Sequence, residues 1–182
     1  MNDAQLREEL LSKEVVFQGA IVRLEHWQVK LPNGKQALRE VACHIGAAAV
    51  VAVDGDGQVI LVRQMRIAVD RLTKEIPAGK LNFVGEDPLL CAKRELEEET
   101  GLRAGKWEYL TCLETTPGFC NERIHLYLAT ELEQRASHPD ADEFVDTLRM
   151  PLPEAVEKVM SGEMRDGKTC MGILMAARRL GV

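Results

Sequence analysis

The sequence predicts a single domain of the α/β or α+β class, and three observations carry that prediction. Two pairs of apolar, strand-like segments are each joined by a tight-turn signal, the pattern of β-hairpins. A later segment switches to helical period between a proline start and a glycine stop. The chain's 182 residues are enough for one well-buried core and short for two. With 46% apolar and 29% charged residues spread along its length, the composition is that of an ordinary globular protein rather than a disordered one.

Residues 1–14, MNDAQLREELLSKE, are acidic and polar, which is unlike a secretory signal, and read as a short helix or a frayed tail. Residues 14–43 alternate loosely and break at Pro32-Asn33-Gly34, where the Asn-Gly pair signals a hairpin with QALREVACH as the return strand. The first 45 residues are therefore expected to form a semi-separate sheet, with residues 46–182 as the main domain. AAAVVAV (47–53) and QVILVRQ (58–64) flank Asp54-Gly55-Asp56-Gly57 and read as a second hairpin of largely buried strands.

Over residues 87–100 the period becomes helical. Asp87 is the cap, Pro88 sits in the first turn, Leu89, Ala92 and Leu96 form one apolar stripe, and Gly101 is the stop. Strand-like stretches at 107–115 and 123–130 follow, then a polar segment, 131–142, and a short strand, FVDTLRM. Amphipathic helices are expected at 152–160 and 168–180.

Charge and cysteine usage narrow the function classes. A net charge of −6 argues against a nucleic-acid surface, and an anionic ligand would need local arginines and a bound cation. No apolar run reaches the roughly 18–20 residues of a membrane helix. The five cysteines are scattered and lack CxxC spacing, which argues against a disulfide framework or zinc site and for reduced thiols in the cytoplasm.

The chemistry concentrates in EIPAGKLNFVGEDPLLCAKRELEEETGL (75–102). In a helix, Glu95, Glu98 and Glu99 share one face. Like charges at that spacing repel, and a hard cation such as Mg²⁺ or Mn²⁺ would offset the repulsion. Arg94 is placed to pair with Glu98, while Glu97 lies off the face and is expected to be solvated. A run such as RELEEE is usually a solvated surface. Here a glycine-containing approach precedes it and a glycine closes the helix just beyond it.

The stretch resembles the Nudix box, G-x5-E-x7-R-E-U-x-E-E-x-G-U, in which U is aliphatic. Glu86, Arg94-Glu95-Leu96, Glu98-Glu99, Gly101 and Leu102 match in place, but six residues rather than five separate Gly79 from Glu86. The flanking segments resemble the ADP-ribose pyrophosphatase-like subfamily of Nudix hydrolases. Val62-Arg63-Gln64-Met65-Arg66 is similar to its Q-x-R strand end, and Glu75-Ile76-Pro77-Ala78-Gly79 to its E-x-PAG. Pro117 and Glu122 match its P-G-x-x-x-E loop, and Asp142-Glu143-Phe144 its acidic loop. The resemblance spans about residues 14–180.

This resemblance implies a Nudix fold, a mixed β-sheet sandwiched between helices, with an N-terminal antiparallel sheet. It implies Mg²⁺-dependent hydrolysis of the pyrophosphate bond of ADP-ribose to AMP and ribose 5-phosphate, with Mn²⁺ as a possible substitute. The metal ligands implied are Glu95, Glu98, Glu99 and the Ala78 carbonyl, and the catalytic base is Glu143, with Asp142 or Glu98 in competition. Arg66 is implied as the diphosphate contact, with Arg63 expected on the same strand face, and Glu122 as a ribose contact. Arg39 is a further phosphate candidate, and Trp27 and Phe17 are candidates for stacking on adenine. A homodimer that exchanges its N-terminal sheet is also implied, acting on a small nucleotide with no nucleic-acid or membrane partner. The alternatives are a pyrophosphatase for other nucleoside diphosphate sugars or dinucleotides and, more remotely, a non-catalytic Nudix ligand sensor.

Overall fold

The computed structural model describes residues 2–134 and 145–182. The chain forms two compact units, one of Met1–Ile45 with Glu114–Arg123 and one of Gly46–Leu113 with Ile124–Val182.

The first unit carries a three-stranded antiparallel sheet of β1 (Glu9–Gln18), β2 (Arg23–Lys30) and β3 (Gln36–Cys43), in that spatial order. At the Asn-Gly turn Gly34 donates to the Leu31 carbonyl at 2.9 Å, and Lys35 N–H donates to the Asn33 side chain at 3.0 Å. The expected N-terminal helix or tail is corrected. Only Asp3–Gln5 form a helical turn, capped by Asn2, and a strand begins at Glu9. Ladder pairing from Glu9 opposite Lys30 to Glu14 opposite His26 decides this. All ten residues of β1 are exposed, so no buried face marked the segment as a strand.

In the second unit, β4 (Ala47–Val53) is the central strand of a seven-stranded mixed sheet. The main order is β10-β5-β4-β9-β8, from β5 (Gln58–Arg66), β8 (Leu102–Glu114), β9 (Arg123–Gln134) and β10 (Asp146–Pro151). Two short strands join it, β6 (Arg71–Glu75) against β5 and β7 (Ala78–Lys80) against β4. β4 runs parallel to β9 and antiparallel to β5 and β7.

Every residue of β4 is buried, and its alternation splits the core in two. Ala47, Ala49, Val51 and Val53 face a cluster that includes Leu152 and Ala155 of α2 (Leu152–Met160) and Ile173 and Ala176 of α3 (Gly167–Leu180). Ala48, Val50 and Ala52 face Cys91, Ala92 and Leu96 of α1 (Pro88–Thr100). A continuous apolar run covered on both faces is the mark of a strand between helical layers. The mixed sheet between helices that the resemblance implied is therefore the observed architecture. Among the described residues no helix is long and apolar enough to cross a membrane.

α1 begins and ends as its sequence requires. The Asp87 carboxylate accepts from Leu89 N–H at 2.9 Å, Pro88 opens the helix, and Gly101 closes it in the left-handed conformation, donating to the Glu97 carbonyl. The buried face carries Cys91, Ala92 and Leu96, together with Glu95 and Glu99.

Candidate active site

Two carboxylates on that face are almost wholly inaccessible, Glu95 at 7% and Glu99 at 5% exposure. Burying a carboxylate is costly without hydrogen-bond partners. Glu99 accepts from Ala78 N–H at 3.1 Å. The Glu95 carboxylate lies directly against Gly79, where a Cβ would overlap it. Arg94 ties the group together, with Nη1 at 2.6 Å from Glu95 and 3.1 Å from Glu98, and Nη2 donating to the Lys80 carbonyl at 3.2 Å. Its Nε–H is buried and meets no acceptor among the described residues. Glu97 departs from the expected solvated state, because Arg103 holds it through contacts of 2.7 and 2.8 Å. Burial lifts the neighbouring Cys91 thiol to about 11, so it packs as an un-ionised group.

The segment against which these glutamates rest is fixed on its other side by Glu75, the last residue of β6. Glu75 is 2% exposed and accepts from four groups. Arg66 Nε and Nη2 each donate to it at 2.8 Å, Thr73 Oγ1 at 2.6 Å and Lys168 Nζ at 2.5 Å. Burial alone would raise the Glu75 carboxyl, but Arg66, Lys168 and Thr73 together override it and hold the group at about 2. One residue on, Ile76 N–H donates to Thr169 Oγ1 at 3.0 Å, and Thr169 Oγ1 in turn donates to Asp166. Asp166 caps α3 through Thr169 N–H and also accepts from Lys168 at 3.0 Å. Pro77 closes the segment by accepting from Val50 N–H at 2.9 Å. The β6–β7 connection is thus clamped between α3 and β4, and it presents Ala78 and Gly79 to the glutamates of α1.

The extra residue between Gly79 and Glu86 is absorbed in a surface turn. Leu81 is buried as an anchor, Phe83 and Val84 are exposed, and Glu86 N–H donates to the Phe83 carbonyl at 3.2 Å. Gly85 has φ +91°, a conformation that costs glycine little. The Glu86 carboxylate turns back to accept from Asn82 N–H. The insertion leaves the register of Glu95, Glu98 and Glu99 on α1 untouched.

The other candidate residues fall into three groups. Arg63 and Arg66, expected on one face of β5, lie on opposite faces, since they are three positions apart and strand side chains alternate with period two. Arg63 pairs with Asp146 of β10 at 2.8 Å, and Arg66 points to Glu75 with 44% of its side chain exposed. Arg39, Trp27, Phe17 and Glu122 belong to the first unit. There Arg39 pairs with Glu8, Trp27 donates to Glu25 at 2.7 Å beneath Lys13, Phe17 is exposed, and Glu122 lies 3.4 Å from His44 Nδ1. Asp142 and Glu143 lie outside the described residues.

Sequence reading did not single out Glu75, Lys168, Asp166 or Thr169 as site residues. The signal available was Asp-Gly-Lys-Thr, a capping aspartate followed by a cation and a hydroxyl at the start of the last helix.

Among the described residues no three acidic, histidine or cysteine side chains stand together as a ready-made metal cage. The donor set nonetheless fits a hard divalent cation. Its side chains are all carboxylates, two of them are buried against the backbone of Ala78 and Gly79, and a glycine stands where any Cβ would displace Glu95.

A mixed sheet between helices, with a buried glutamate face resting on the Pro77-Ala78-Gly79 segment, defines a Nudix-type site. The chain belongs to the NUDIX domain family, whose model matches residues 44–168. It is 44% identical over 170 residues to the ADP-ribose pyrophosphatase of Bacillus subtilis (strain 168), covering 92% of this chain and 91% of that one. It is 40% identical over 168 residues to the methanol dehydrogenase activator of Bacillus methanolicus, covering 91% and 90%. A crystal structure of an ADP compounds hydrolase shares the fold with a TM-score of 0.85 at 20% identity, covering 97% of this chain and 96% of that one.

Proposed function

We propose that this protein hydrolyses the pyrophosphate bond of ADP-ribose, giving AMP and ribose 5-phosphate. The observation that carries the proposal is the seating of Glu95 and Glu99 of α1 on Ala78 and Gly79. The identity to the Bacillus subtilis enzyme over nine-tenths of both chains supports ADP-ribose as the substrate.

Glu95, Glu98, Glu99 and the Ala78 carbonyl would hold the divalent cation, Mg²⁺ first and Mn²⁺ as a substitute. When bound, such an ion supplies charge neutralisation at phosphate oxygens and a water of lowered pKa. Arg94 keeps Glu95 and Glu98 aligned on one face. Arg66 offers a planar guanidinium to the diphosphate, a geometry suited to bidentate contact. Glu143, with Asp142 beside it, is the base that takes the proton from the attacking water as the new P–O bond forms and the bridging P–O bond breaks. The five free cysteines suit the cytoplasm, where thiols stay reduced. The exposed apolar residues of β1, Leu10, Val15, Val16 and Phe17, suit a homodimer formed through the N-terminal sheet.

The test is a substrate panel with Mg²⁺ over ADP-ribose, other nucleoside diphosphate sugars, dinucleoside polyphosphates, NADH and nucleoside triphosphates. ADP-ribose is expected to give the highest kcat/KM. Preference for a nucleoside triphosphate would overturn the assignment.

A further inference from the structure

We propose that Lys168 is a positioning residue for the diphosphate of the substrate, acting through Glu75 on Arg66. The inference rests on the reading of Arg66 as the diphosphate contact.

Lys168 comes from the first turn of the last helix and reaches Glu75 with only 11% of its side chain exposed. It donates to the same oxygen, Oε2, that receives Arg66 Nη2, so two cations share one buried carboxylate. The arrangement is graded by depth. Glu75 is innermost, Lys168 is nearly covered, and Arg66 keeps 44% of its side chain open. Arg66 is the member able to meet a ligand while still bound to its anchor.

The charges explain why a second cation is needed. Glu75 and Asp166 are the carboxylates of the group, and Arg66 and Lys168 balance them. Without Lys168 the group would carry a net negative charge near a further buried carboxylate, Glu99, whose charge already reaches Arg66. That would oppose a diphosphate, and Arg66 would be the only ionic partner left to Glu75. Lys168 shares the load on Oε2 and leaves Arg66 able to turn part of its donor set outward. Thr169, one residue on, locks the register by accepting from Ile76 N–H.

The experiment measures binding as well as turnover. Kd for ADP-ribose is taken by calorimetry in EDTA, and KM and kcat are taken with Mg²⁺. Lys168→Met should raise both Kd and KM about tenfold, the effect of losing one favourable charge interaction in a partly buried site, while kcat changes less than about threefold. Lys168→Arg should recover most of the affinity. Asp166→Asn keeps an effective helix cap but removes a negative charge, so it should tighten Kd a few-fold. The opposite signs of the Lys168 and Asp166 variants separate charge balance from fold damage, which would weaken both. Unchanged Kd in Lys168→Met, or loss of affinity in both Lys168→Met and Asp166→Asn, overturns the proposal. Wild-type protein that neither binds nor cleaves ADP-ribose would instead overturn the functional reading on which it rests.

Discussion

Glu98 and Glu99 are adjacent in sequence, yet the helix gives them different work. Glu99 is buried and takes the Ala78 N–H, whereas Glu98 keeps a third of its side chain exposed and shares Arg94 with Glu95. Arg94 holds Glu98 at 3.1 Å on the same face as Glu95, an arrangement that supports our proposal of Glu98 as a metal ligand rather than the base. Glu143 is the base we propose. Glu143→Gln is accordingly expected to lower kcat by roughly 10²–10⁴ while metal and substrate affinity hold. Glu98→Gln is expected to weaken metal binding, visible as partial rescue at high Mg²⁺. Near-normal kcat in Glu143→Gln beside a loss in Asp142→Asn would move the base to Asp142. The glutamate face was legible in the sequence because helical period fixes it from spacing alone. Glu75 was not, because its worth comes from Arg66, nine residues away, and Lys168, ninety-three residues away, meeting it in space.

Among the elements, β4, β5 and α1 announced themselves by apolar runs, turn residues and caps. β6 and β7 did not, because they have five and three residues and are separated by Ile76-Pro77, too short for a period to register. β1 looks partly like helix or tail in the sequence because none of its residues is buried within the chain. An edge strand this long and this apolar is a ready surface for pairing. Its proposed role in dimerisation predicts that Leu10→Lys with Val15→Lys shifts the mass measured by light scattering from dimer to monomer. A wild-type monomer, or a doubly substituted protein that remains dimeric, would contradict that role. The same exposure explains why the first unit's aromatic and arginine candidates could be named from sequence without their partners. Arg39 with Glu8 and Trp27 with Glu25 are pairings set by strand register and local folding.

At the scale of the whole molecule, the clamp at Glu75 ties β5, β6 and α3 to one buried charge. Its carboxyl is held at about 2, against an ordinary value of 4.5. A depressed folded-state value contributes stability that is fully present above pH 4.5 and is lost as the pH falls toward 2. Acid titration should therefore lower Tm across that window, and Glu75→Gln should flatten this part of the profile. At neutral pH the same change should cost about 3–5 kcal/mol, the usual effect of breaking a buried ion pair. An unchanged acid profile in Glu75→Gln would remove Glu75 from the stabilising set.

We propose that the face of α1 resting on Ala78 and Gly79, and not the acidity of the helix as a whole, runs the reaction. Glu99 and Glu97 differ by two positions and carry the same charge, but Glu97 faces Arg103 in a partly exposed pair of the kind worth about 0–1 kcal/mol. The most direct test is kcat for Mg²⁺-dependent ADP-ribose hydrolysis in Glu99→Gln and Glu97→Gln, with Tm measured on both. Glu99→Gln is predicted to lose at least about a hundredfold in kcat, with Tm little changed, consistent with the several kcal/mol that metal-assisted charge stabilisation supplies. Glu97→Gln is predicted to stay close to the wild type. Equal losses at the two positions, or an active Glu99→Gln, would show that this face does not run the reaction.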